Sequence, residues 1–145
     1  MAYSISKDMR RCNHLMGEIE AAYHEAALKF GLADSTQFIL YTICYLGDHC
    51  PLSDIVKMTG ISKQTINSAL RNMEKQGLIQ LVCATSRTKN VMLTDAGKSL
   101  ADRTVLRLMQ AEDAIFSEWT DNDVQKYLEL TERFLRGLNE QIDLL

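Results

Sequence analysis

The chain has 145 residues, 46% of them hydrophobic, with a single proline and a formal net charge of −3, enough to bury one core of its own. No apolar run is long enough to span a bilayer, and the opening MAYSISKDMRRC lacks the apolar centre of a signal peptide, so a single cytoplasmic domain is expected. Four cysteines, Cys12, Cys44, Cys50 and Cys83, stand far apart without CxxC spacing, which fits reduced thiols better than a disulfide framework.

Residues 4–30 predict a long helix. Ile5, Met9, Cys12, Met16, Ile19, Tyr23 and Ala26 recur in steps of four and three, a seam made for another helix, and Phe30-Gly31 closes it. Asp34 or Ser35 then caps a second helix over residues 36–46. Phe38, Ile39, Leu40, Tyr41, Ile43 and Cys44 cover most of its circumference, so it should be largely buried. The run GDHCP ends it.

Next come two short amphipathic segments. Leu52, Ile55 and Val56 have helical spacing, and the pattern breaks at Thr59-Gly60, where glycine supplies the positive φ of an abrupt exit. Ser62 stands where an N-cap belongs, its hydroxyl able to accept the amide of Thr65 or its neighbour. Ile66, Ala69, Leu70 and Met73 form the buried stripe of a second helix stopped by Gly77. This is helix-turn-helix grammar. The opposite face of the second helix is Lys63, Gln64, Thr65, Asn67, Ser68, Arg71 and Asn72, with no acid and no large apolar residue. Arg and Lys can fork onto guanine, Asn and Gln onto adenine, and Ser or Thr can reach phosphate or base. Alone, such a face could equally be a solvated surface.

The following segment decides between these. Leu78–Val82 is β-prone, ATSRTKN is polar and basic, and VMLT is β-prone again, so a hairpin with Arg87 and Lys89 near its tip is expected. Such a wing lets a cation reach the minor groove or phosphates beside a recognition helix. Between residues 51 and 94 the cations are Lys57, Lys63, Arg71, Lys75, Arg87 and Lys89, and the anions only Asp54 and Glu74. A basic island in an acidic chain says more than the overall balance.

After the wing, residues 95–119 predict one long helix capped by Thr94, and Thr120 with Asp123 opens a last helix like a capping box. Val124, Tyr127, Leu128, Thr131, Phe134, Leu135, Leu138, Ile142 and Leu145 make a broad apolar stripe along it. Long apolar-seamed helices at both ends of a small domain are explained if they pack against a second copy; a monomeric bundle using the stripes internally is the competing arrangement. Residues 111–145 carry Glu112, Asp113, Glu118, Asp121, Asp123, Glu129, Glu132, Glu140 and Asp143 against only Lys126, Arg133 and Arg136. Phosphate would repel that end and leave the wing facing nucleic acid.

Taken together, SDIVKMTGISKQTINSALRNMEKQGLI, the basic wing and LTDAGKSL resemble the winged-helix core of MarR-family transcription regulators, and the resemblance extends to the flanking helices. It implies an α+β, mainly helical fold, with residues 51–94 as a winged helix-turn-helix core and residues 1–46 and 95–145 as dimerisation and support helices. It also implies a homodimer on a pseudo-palindromic operator, its recognition helices about 34 Å apart, commonly a repressor released by a small phenolic ligand or by oxidation. The DNA contacts implied on this chain are Ser62, Lys63, Gln64, Thr65, Asn67, Ser68, Arg71, Arg87 and Lys89. One departure stands out: members usually carry Asp-x-Arg at the wing, and here the matching residues are Thr85-Ser86-Arg87.

Other chemistries have weaker support in the residues. The chain has no GxSxG, P-loop, GxGxxG or HExxH, and His14, His24 and His49 fall on separate predicted helices or their ends, so neither catalysis nor a cofactor is expected. Cys44, Asp48, His49 and Cys50 crowd one helix end and could suit zinc, but Cys-x5-Cys is no usual zinc spacing and structural thiols explain them more simply. Cys12 follows Arg10-Arg11, which favour thiolate, and the resemblance suggests a redox role near Tyr41 and Tyr45. Its place on the seam equally suits a packed small side chain. Met16, Tyr23, Phe38 and Tyr41 could line a ligand pocket or simply be core. A winged-helix dimer that docks a protein through the same polar face is the rival to a DNA reader.

Overall fold

A computed structural model describes residues 3–47 and 50–145. It is α+β and mainly helical: α1 (Lys7–Phe30), α2 (Asp34–Leu46), β1 (Cys50–Pro51), α3 (Leu52–Thr59), α4 (Lys63–Lys75), β2 (Ile79–Cys83), β3 (Lys89–Leu93), α5 (Asp95–Arg103), α6 (Val105–Ser117) and α7 (Asp121–Ile142). Its contacts divide into two compact units, Met1–Leu108 and Met109–Leu145.

In the first unit the core is built where the sequence periodicities point. Ile39, Leu40 and Ile43 of α2 meet Ile55 of α3 and Ile66, Leu70 and Met73 of α4, and all are buried. Cys50, Ile79, Val91, Leu100, Ala101 and Val105 complete the cluster. Burying each such side chain contributes about 1.5–3 kcal/mol, so the helix-turn-helix is held from behind by its own hydrophobic stripes. Gly60 leaves α3 with φ 63°, a conformation that costs a Cβ-bearing residue energy.

The sheet is antiparallel, in the order β1-β3-β2. Leu81 pairs with Val91 and Cys83 with Lys89, so the hairpin turns over residues 84–88. Cys50 and Pro51 pair with Val91 and Asn90 as a third, edge strand. The hairpin alone was expected; proline stands on an edge, where a missing N–H costs no internal ladder bond.

Three helix bounds also differ from expectation. Ser6, not residue 4, begins α1, its Oγ accepting the Met9 N–H at 3.1 Å. Helix α2 starts at Asp34 behind Ala33; neither Asp34 nor Ser35 is its cap, because the Asp34 carboxylate instead takes His24 Nδ1 of α1 at 2.8 Å. The expected helix over 95–119 breaks at Thr104, whose φ of −127° and ψ of −94° leave the helical region. There the buried Thr104 hydroxyl donates to the Leu100 carbonyl at 2.6 Å. No glycine or proline marked this break.

Thr94 joins the wing to α5. Its N–H donates to the Leu78 carbonyl (3.0 Å) and its hydroxyl to the Gly77 carbonyl (2.5 Å), while its oxygen accepts the Gly97 N–H (3.1 Å). Gly97 is buried here because nothing larger fits: a Cβ would lie 2.0 Å from the Leu78 carbonyl oxygen.

In the second unit, Thr120 caps α7 by accepting the Asp123 N–H at 3.1 Å. Phe116, Trp119 and Tyr127 pack tilted or edge to face with ring centroids 5.2–5.9 Å apart, joining the end of α6 to the first turns of α7. Yet α7 buries no residue within the chain. Tyr127, Leu128, Phe134, Leu135, Leu138 and Ile142 all remain exposed.

Candidate functional site

Helix α4 offers one face inward and the other to solvent. Ser62 starts it as expected: its Oγ accepts the Thr65 N–H at 3.2 Å and donates to Thr65 Oγ1 at 2.9 Å. Ile66, Leu70 and Met73 face the core, which turns Lys63, Gln64, Thr65, Ser68, Arg71 and Asn72 outward as exposed residues, with Asn67 half-buried. The Ser62 hydroxyl is therefore engaged in capping, whereas the rest of this polar face is presented to solvent.

The face borders an open cleft of about 770 Å³. Lys63, Gln64, Thr65, Asn67, Ser68 and Arg71 line one side; Ala33, Ser35 and Thr36 at the start of α2 line another, and no carboxylate lines it. Sequence reasoning did not connect Ser35 and Thr36 with this face. A Ser-Thr pair opening a helix reads as capping, and only the packing of α2 on α4 brings it beside the recognition helix.

The wing is ordered without an acidic residue. Thr85 Oγ1 accepts the N–H of Thr88 at 3.1 Å and of Arg87 at 3.3 Å, and lies 2.6 Å from Thr88 Oγ1. The Thr88 carbonyl in turn accepts the Ala84 N–H at 3.0 Å. A hydroxyl thus closes the turn by local hydrogen bonding to the main chain. Thr85 does at the backbone what a carboxylate could do, and adds no negative charge.

Electrostatically the face is open. Lys63, Arg71, Arg87 and Lys89 are all exposed, and among the described residues none of them pairs with a carboxylate. Their charge is not neutralised internally, so it remains available to a polyanion.

The remaining candidates lie apart from this face. Cys12 is half-buried on α1, its Sγ 3.8 Å from Met16 Sδ; Tyr45 is exposed on α2. Met16 and Phe38 are exposed, Tyr23 and Tyr41 half-buried, and none of the four lines the cleft. Asp48 and His49 of the conceivable metal cluster lie outside the described residues. Its two cysteines are inward-facing thiols: burial, with Asp102 nearby, pushes Cys44 up to about 11, and burial, with Asp54 nearby, does the same to Cys50. Among the described residues no group of three His, Cys, Asp or Glu could hold a metal ion, and no helix is long and apolar enough to cross a membrane.

Comparison with known proteins agrees with the helix-turn-helix and wing. Residues 30–87 match the model of the MarR family. Among solved structures, the chain is similar to a MarR family regulator from Neisseria meningitidis (17% identity, 95% of this chain and 98% of that one, TM-score 0.82). It is similar also to a MarR family regulator from Silicibacter pomeroyi (21% identity, 90% and 89%, TM-score 0.69). A third is MepR of S. aureus in its complex with DNA (21% identity, 94% and 98%, TM-score 0.67). Among curated proteins none matches the chain.

Proposed function

We propose that the chain, whose residues 30–87 match the MarR family model and whose fold is similar to that of MarR family regulators, is a cytoplasmic, homodimeric regulator of transcription that reads a pseudo-palindromic operator. The observation that carries this reading is the outward face of α4, which joins unpaired cations to amide and hydroxyl side chains with no acid before Glu74 in its last turn, beside a wing bearing Arg87 and Lys89. A helix of that composition suits the major groove: Gln64, Thr65, Asn67 and Ser68 read base edges, Lys63 and Arg71 take phosphate or guanine, and Arg87 with Lys89 engages the minor groove or its phosphates. The Ser62 hydroxyl keeps the helix start in register. MepR, a protein of similar fold, is known in complex with DNA, which supports DNA as the ligand.

Residues 51–94 form the reading head in this account, and α1, α6 and α7 form the dimer. The exposed apolar stripe of α7 supports the second part, because a single chain leaves Leu135, Leu138 and Ile142 in water, and such stripes are ordinarily covered by a partner. In this reading the regulator acts as a repressor, released by a small ligand or by oxidation. Selection from random duplexes tests the reading. A pseudo-palindrome with half-sites one helical turn apart is expected; recovery of no enriched sequence would point instead to a protein docked on the α4 face.

A further inference from the structure

Beside α4 stands a second wall. Ser35 and Thr36, half-buried in the first turn of α2, line the same cleft as Lys63, Gln64, Ser68 and Arg71. Among the described residues neither hydroxyl bonds to another side chain. The nearest acid in sequence, Asp34, does not line the cleft and is held by His24 of α1 at 2.8 Å. The wall is thus hydroxyl-bearing, free of carboxylate, and in the field of two unpaired cations.

We infer that Ser35 and Thr36 grip the sugar-phosphate backbone bordering the groove that α4 enters, an inference that rests on the DNA-reading function proposed above. A helix with its side chains is about 10–12 Å across, and the major groove is about 12 Å wide. A recognition helix therefore fills its groove, and protein rising beside it meets a phosphate strand, not base edges. Neutral hydroxyls suit that place, since Ser and Thr commonly donate to phosphate oxygens. Being fixed in the first turn of a helix, they set the height and angle of α4 in the groove instead of reading sequence.

The test compares wild type with the Ser35→Ala/Thr36→Ala pair by fluorescence anisotropy, on the selected operator and on a scrambled duplex of equal length, at several salt concentrations. The expected result is a loss of about tenfold, the size of a hydrogen bond or two to a charged group. It should be equal on both duplexes, and the salt slope should be unchanged because a neutral donor releases no counterion. Asn67→Ala, in contrast, should lose preference for the operator. Ser35→Glu provides a variant that a helix start tolerates well, and it should bind worse than the alanine pair. Unchanged affinity in the alanine pair or in Ser35→Glu overturns the contact, as does a loss confined to the operator. A wild type that binds neither duplex overturns the DNA-reading function itself, and this contact with it.

Discussion

Replacing Gly97 with alanine should destabilise the protein even though it replaces the poorest ordinary helix former with the best. The added Cβ would lie 2.0 Å from the Leu78 carbonyl oxygen, 3.0 Å from its carbon and 3.2 Å from Leu93 Cδ2, while an ordinary carbon–oxygen contact is about 3.3–3.6 Å. The obstacle is main chain, so α5 must move off the wing by around an ångström. That lengthens the bonds from Thr94 to the Leu78 and Gly77 carbonyls, now 3.0 and 2.5 Å. Two weakened hydrogen bonds at about 1 kcal/mol each add to about 1–3 kcal/mol of overpacking. The gain in helix propensity offsets about 1 kcal/mol, leaving a net cost of about 2–4 kcal/mol. For a domain of this size that corresponds to a fall in melting temperature of roughly 5–15 °C. The assay is thermal unfolding followed by circular dichroism at one fixed protomer concentration, since a dimer's melting depends on concentration. Gly17→Ala is the control, because nothing lies within 4 Å of its added Cβ, and it should be neutral or stabilising. A Gly97→Ala protein that melts at or above wild type would refute the close approach and the seating of α5 against the wing.

Four further outcomes are expected. Thr85→Ala removes the oxygen that accepts the Arg87 and Thr88 amides; it should change melting little at this exposed turn but weaken DNA binding several-fold, while Thr85→Ser retains affinity in the same titration. Arg87→Ala should cost about tenfold in affinity and lower the salt slope by about one, with an unaltered circular dichroism spectrum. Leu135→Glu with Leu138→Glu places charge on the exposed stripe of α7 and should give monomers in sedimentation, with operator binding lost alongside the dimer. Finally, Cys44 and Cys50 have folded-state values raised from 9.0 to about 11, so the folded state holds their protons more tightly than the unfolded state. Their contribution is complete below pH 9 and is lost as pH rises towards 11; denaturant midpoints should fall across that window, and a Cys44→Ala/Cys50→Ala protein should show a shallower fall.

The sequence made the helix-turn-helix legible almost to the residue, because its signals are local. Ser62 caps α4, Gly60 ends α3, and Ile66, Leu70 and Met73 turn inward as their spacing dictates. What escaped depends on contacts between distant segments. The pairing of Cys50 and Pro51 with β3 involves two residues with no strand pattern of their own. The role of Gly97 depends on a carbonyl at Leu78, and that of Ser35 and Thr36 on where α2 meets α4. Thr85 stands where an acid is usual, and its hydroxyl accepts the Arg87 and Thr88 amides of the turn. The break at Thr104 carries no glycine or proline and was invisible for that reason.

The central claim is that the face of α4, with its wing, reads DNA by sequence, and titration of labelled duplexes by fluorescence anisotropy at two salt concentrations tests it most directly. The account predicts one dimer per site, tighter binding to DNA from upstream of the protein's own gene than to a scrambled duplex, and affinity that falls steeply as salt is raised. Equal affinity for both duplexes at both salt concentrations, or none for either, would contradict it.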